Sequence, residues 1–242
     1  MARTKPASGN NHRRPHKRSP YKRARKQAVP LETDFVVLAI DAAFEIITQA
    51  GFNYRQQNVY PYLQQKGFSI KRSQESLARR VYVAPEARKP HVLYITGVGH
   101  GGYDSYTGDF YDPIFSVGNY SPEECHGKIV HFISCETARD LGPDFISHGC
   151  RAYFGYDENF TFLLDSADLF FECDSEIDRA FADGLNAKQV HERVNALFNK
   201  HIDALRQQGS DYKAATLEFD RDHLRGPLSG PQWGDPLASL TG

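Results

Sequence analysis

The chain has 242 residues, 40% of them hydrophobic, with 13 prolines and 19 glycines, which is the make-up of a globular domain large enough to bury a core and not that of a fibrous or low-complexity chain. No apolar run is long enough to cross a bilayer, and the cysteines at 125, 135, 150 and 173 have neither the spacing of a zinc site nor that of a disulfide framework, so no metal and no cofactor is expected. The net charge of −1 hides a polarised chain: ten of the 29 Lys and Arg fall in Met1 to Pro30, which has no acid, leaving 19 basic against 30 acidic residues beyond it.

Residues 1–30 cannot bury enough apolar surface to fold alone, so a disordered basic tail is expected ahead of a single domain over residues 31–242. Three roles remain open for the tail. It can hold nucleic acid or another anionic partner through phosphates, it can rest on its own acidic body, or its Arg- and Lys-rich run can be a site of self-cleavage. It lacks the apolar segment and small-residue cleavage site of a secretory signal, so a cytoplasmic location without a membrane partner is expected.

In chain order, Phe35 to Ile40 reads either as a buried strand or as the start of a helix, and periodicity does not decide between them. Residues 55–66 read as a helix closed by Gly67, Phe68 to Lys71 as a short strand, and Ser73 to Ala84 as a helix capped by Ser73. Val92 to Ile95 and Ile129 to Ile133 are continuous apolar runs, as expected of strands covered on both faces in a parallel sheet. Between them, Tyr103 to Asn119 reads as an irregular loop, either a wall of a cleft or a plain surface connection, followed by a brief helix capped at Ser121. A helix is expected from Cys135 to about Leu141, a strand over Ala152 to Tyr156, and two long helices, one ending at Gly184 and one running from an Asn186 cap to Gly209. The Gly- and Pro-rich end has room for one edge strand, with Trp233 near the cleft. This alternation predicts an α/β fold with a mainly parallel sheet.

Each of the two apolar runs ends in a residue that can do chemistry. The first passes through Gly97-Val98-Gly99 into His100, and the second stops at Ser134-Cys135. Catalytic groups in such sheets sit beyond the carboxyl ends of the strands, so parallel neighbours would place the imidazole and the thiol side by side. A thiol needs a base or a lowered pKa to become a nucleophile. His100 offers the base, and a strand-to-helix turn at Cys135 would favour the thiolate through the helix dipole. The amides of Gly101 and Cys135 are candidate donors to an oxyanion. The glycines around His100 do not complete a dinucleotide-binding fingerprint.

A hydrophobic block ending in His-Gly, then a second ending in a small residue and Cys, resembles the caspase-like cysteine peptidases, and Ile133-Ser134-Cys135-Glu136-Thr137-Ala138 is most similar to the motif of the CHAT domains, with one small residue missing before the cysteine. Gly149 to Asp157 resembles the next strand of that family, and Trp233-Gly234-Asp235-Pro236 resembles the close of gingipain-like domains. The resemblance covers residues 91 to 236. It implies a caspase-like three-layer αβα sandwich and a Cys135–His100 dyad hydrolysing peptide bonds, with a protein or peptide substrate and a regulatory protein partner or self-cleavage as control. As in separase-like and CHAT-like relatives, it implies that Asp157, with Glu158 and Ser134 as further substrate-binding residues, lines a pocket for a basic P1 side chain. Asp157 or Asn159 can equally be a helix cap. No third carboxylate for the dyad is visible in the sequence. The alternative is a catalytically silent scaffold of the same fold that binds a protein or nucleic acid through its basic tail.

Overall fold

In the computed structural model, residues 36–240 are described, together with Met1 and Ala2. The expectations for the basic tail and for the domain boundary after residue 30 therefore lie outside the described residues. The apolar run at the start of the described chain is a strand, β1 (Val36–Asp41), with five successive buried positions. That continuity is the mark of a strand covered on both faces. Two helices follow, α1 (Ile46–Asn58) and α2 (Tyr60–Gln65), separated at Val59 and not joined as the single helix expected over 55–66. Next come β2 (Ser69–Gln74) and α3 (Arg80–Ala87). Ser73 is buried within β2 and caps no helix.

β3 (Val92–Val98) leads into a three-stranded antiparallel meander, β4 (His100–Gly102), β5 (Ser105–Thr107) and β6 (Pro113–Ser116), where the sequence suggested an irregular loop. After it a single 3-10 turn, Pro122–Glu124, has the expected cap at Ser121, in a capping box with Glu124. β7 (Ile129–Ile133), α4 (Leu141–Ser147) and β8 (Ala152–Tyr156) follow. The first of the two long helices is broken at Ser175 into α5 (Ala167–Asp174) and α6 (Glu176–Ala182), while α7 (Ala187–Gln207) starts at Asn186 with a capping box to Gln189. α8 (Asp211–His223) was not anticipated, and it runs straight into β9 (Leu224–Arg225).

The six-stranded sheet has the order β2-β1-β3-β7-β8-β9, with every pairing parallel except that of β9. Two separate clusters of buried side chains cover its faces. One joins Val37, Tyr94, Ile133 and Phe154 to α1, α2 and α5–α8, and the other joins Leu38, Ile95, Val130 and Phe132 to α3, α4 and the meander. This is a mixed α/β fold with a mainly parallel sheet between two covering layers. Among the described residues, no helix is long and apolar enough to cross a membrane.

Candidate active site

The register between β3 and β7 fixes the geometry of the site. Val98 stands opposite Ile133, and the Gly99 amide donates to the Ile133 carbonyl at 3.2 Å. His100 and Cys135, each two residues further on, therefore leave the sheet at one edge. They line a common cavity of about 40 Å³ with Ser134, Gly99, Val98, Ile47, Thr48, Ile133, Phe160, Phe162 and Phe171. Gly101 lies directly over the cysteine loop: a Cβ there would strike the Cys135 carbonyl oxygen and come within 2.7 Å of Thr137 Cγ2. The backbones of the two expected oxyanion donors are thus adjacent.

The chain after Cys135 is not a helix. Residues 134–140 are bends and turns, Glu136 is left-handed at φ 62°, and α4 begins only at Leu141. The turn that replaces the expected helix brings no dipole of its own to the sulfur. Burial instead pushes the Cys135 thiol up from its ordinary pKa, with partial relief from the Phe160 amide. Burial therefore works against the thiolate at this position. Cys125, Cys150 and Cys173 are buried outright, so Cys135 is the one cysteine that reaches the surface.

A carboxylate that the sequence did not reveal stands beside His100. Glu45 Oε1 lies 3.3 Å from His100 Nε2. That separation is within ion-pair range but poorly aligned, and Nε2 has no hydrogen-bond partner. Glu45 is also the N-cap of α1, accepting from the Thr48 amide at 2.7 Å and the Ile47 amide at 2.8 Å. Burial opposes its ionisation, but those amides, the Thr48 hydroxyl and His100 together hold its carboxyl below the usual range. The signal was present in the sequence as an acid just past the carboxyl end of a strand. Because Phe35 to Ile40 read equally as a helix, that end could not be located.

The expected substrate-binding acids are engaged elsewhere. Asp157 accepts from Arg225 Nε at 2.6 Å and lies 2.9 Å from His223 Nδ1, so its charge is met within the chain, and it caps no helix. Glu158 pairs with Arg139, and its carbonyl receives the Glu136 amide at 3.0 Å. Both residues hold the cysteine loop in place and do not line the cavity. Ser134 does line it, with its buried hydroxyl 3.1 Å from that of Thr137. Trp233 donates from Nε1 to the Ala138 carbonyl at 2.9 Å, bracing the same loop from behind.

Asp174 and Asp220 are buried acids that each keep an oxygen without a hydrogen-bond partner, and Asp220 lies on α8. Its Oδ1 accepts the Thr161 amide at 2.9 Å, its Oδ2 is buried with no partner, and burial raises its pKa well above the ordinary value. Thr161 sits between the cavity-lining Phe160 and Phe162, which places Asp220 behind that segment. Among the described residues, no group of three or more His, Cys, Asp or Glu side chains is arranged to hold a metal ion. A larger hollow of about 580 Å³ lies at the other end of the sheet, lined by Arg88, His126 and Lys128 with none of the groups above. No family model matches this chain, and no curated protein matches it.

Proposed function

We propose that this protein is a caspase-like cysteine endopeptidase of the CHAT or gingipain kind, with Cys135 as nucleophile, His100 as general base and then general acid, and Glu45 as the carboxylate supporting the imidazolium. The observation that carries the reading is the shared exit of β3 and β7, which brings His100 and Cys135 to one cavity. With Glu45 beside Nε2, Nδ1 is the nitrogen left to exchange a proton with the sulfur. As substrate fills the cavity, His100 takes the thiol proton while the sulfur attacks the peptide carbonyl carbon. The Gly101 and Cys135 amides stabilise the resulting oxyanion. His100 then protonates the departing amine, leaving a thioester, and next takes a proton from the water that hydrolyses it, freeing Cys135 and a carboxylic acid.

Preference for a basic P1 residue stays part of the proposal, read by a different acid. Asp157 already has Arg225 and His223, whereas Asp220 keeps an unpartnered oxygen behind the Phe160–Phe162 segment. A guanidinium reaching it would let it ionise. A thiol whose ionisation is opposed by burial also supports control by a partner protein or by self-cleavage in the basic tail. The same raised thiol favours a second reading, a silent scaffold that engages a protein or nucleic acid through residues 1–30. One experiment separates them. A peptidyl chloromethyl ketone ending in Arg is expected to alkylate Cys135, to leave Cys135→Ala unlabelled, and to react at least about tenfold faster than its Leu analogue. That gap is expected to close in Asp220→Asn and persist in Asp157→Asn. Absence of Cys135 labelling at neutral and mildly alkaline pH supports the scaffold.

A further inference from the structure

The meander beside His100 has a feature that folding alone does not require. Phe110 and Tyr111 are successive non-glycine residues in the left-handed region, at φ 50° and φ 60°. Bulky side chains rarely adopt that backbone, and such strain persists only where the surroundings impose it. The turn is clamped at both ends: the Asp109 amide donates to the Ala78 carbonyl at 2.8 Å, the Gly108 amide to the Asp112 carbonyl at 2.8 Å, and Arg79 pairs with Asp109 at 3.2 Å. The strain hides neither ring. Phe110 is 69% exposed and Tyr111 58% exposed.

What the strained turn does is build an aromatic wall on the candidate general acid. Tyr111 stacks on the His100 imidazole at 4.9 Å and 29°, Phe44 lies 5.9 Å from that imidazole, and Phe44 packs against Phe110 at 5.3 Å and Tyr111 at 4.9 Å. Single exposed apolar residues mean little, but a contiguous ring cluster held out at energetic cost on a cleft marks a contact surface. Its place fixes what it touches. The Cys135 sulfur bonds to the acyl carbon, and His100 must come within hydrogen-bond reach of the departing nitrogen. The rings around the imidazole therefore meet the residue that carries that nitrogen.

We infer that Phe44, Phe110 and Tyr111 form a specificity subsite for the leaving-group residue of the substrate, and that it selects an apolar side chain there, an aromatic one above all. The inference rests on the peptidase reading, and its test keeps the two apart. In one arm, peptides with a common acyl half and Phe, Leu, Gly or Asp immediately after the scissile bond are compared by kcat/KM. Phe is expected to exceed Gly by at least about tenfold, and that ratio to fall below about threefold in Phe110→Gly and in Tyr111→Gly. Glycine accepts the left-handed backbone, so both variants should keep or raise their Tm while losing selectivity. In the other arm no turnover is needed: phenylalaninamide is expected to raise the Tm of the wild type and of Cys135→Ala more than glycinamide does, and to lose that advantage in Tyr111→Gly. Equal responses to the two amides, or selectivity unchanged in the glycine variants, would overturn the subsite. Failure of every peptide to be cleaved, with the amide preference intact, would remove the peptidase reading alone.

Discussion

Glu45 caps α1 through two backbone amides and also stands 3.3 Å from His100 Nε2. On the peptidase reading, an anion at that nitrogen would stabilise the imidazolium that forms as the thiol proton moves. Glu45→Gln keeps the shape but removes the charge. On the peptidase reading it is expected to lower kcat/KM about 10–100-fold, because the imidazolium formed in the reaction loses its counter-ion. Part of the cap is lost as well, at roughly 0.5–2 kcal/mol. A thermal melt measures the cap and peptide hydrolysis the counter-ion; unchanged kcat/KM would leave Glu45 as a cap and nothing more.

At the level of elements, the site is a contact between two loops, and glycine makes that contact possible. β4 passes so close to the Cys135 loop that any side chain at Gly101 meets the Cys135 carbonyl and Thr137. From the other side Asp140 and Leu141 both donate backbone amides to the Tyr103 carbonyl at 3.0 Å, and Arg139 lies 4.4 Å over the Tyr103 ring. The hairpin and the loop thus set one another's position. Gly101→Ala should cost about 1–3 kcal/mol through overpacking, and it should cost more in catalysis than in stability, since a shift of about 1 Å between His100 and Cys135 is enough to lose on the order of 100-fold in rate. Thermal unfolding and peptide hydrolysis, measured together, check both halves. A variant with full activity would show that the loops adjust independently.

For the molecule as a whole, a set of buried charges lies beneath the edge that carries His100 and Cys135. Arg55 pairs with Asp41 at 3.1 Å and Asp178 at 2.9 Å, and Asp41 in turn accepts the Val98 amide at 3.1 Å, holding the end of β3 just before His100. His131, at the centre of β7, lies 3.3 Å from Asp174 and 3.5 Å from Asp178. Burial works against its charge, but the two carboxylates outweigh it and raise its pKa to about 9. The linkage has a definite sign. An unfolded histidine titrates near about 6.5, so the stabilisation is complete below that pH and is lost as pH rises through about 9. Chemical denaturation should therefore show stability falling by about 2–4 kcal/mol over this window. His131→Gln should be less stable at pH 6 and should lack this part of the decline. An equal decline in the variant would exclude His131 as its source.

The sequence by itself determined the alternating α/β plan, because continuous apolar runs such as Ile129–Ile133 and Ala152–Tyr156 are stable only when covered on both faces. It also placed His100 and Cys135 at the ends of two strands, since that depends on local pattern alone. Local pattern could not foresee the turn where a helix was expected after Cys135, because Gly101 and Glu158 impose the path of that segment from distant parts of the chain. Nor could it show that Asp157 would be neutralised by Arg225, or that Glu45 would face His100. Each of those pairings joins residues far apart along the chain. Charge partnership is a matter of distance in space, and only the packing of β1, β3, β8 and β9 into one sheet sets those distances.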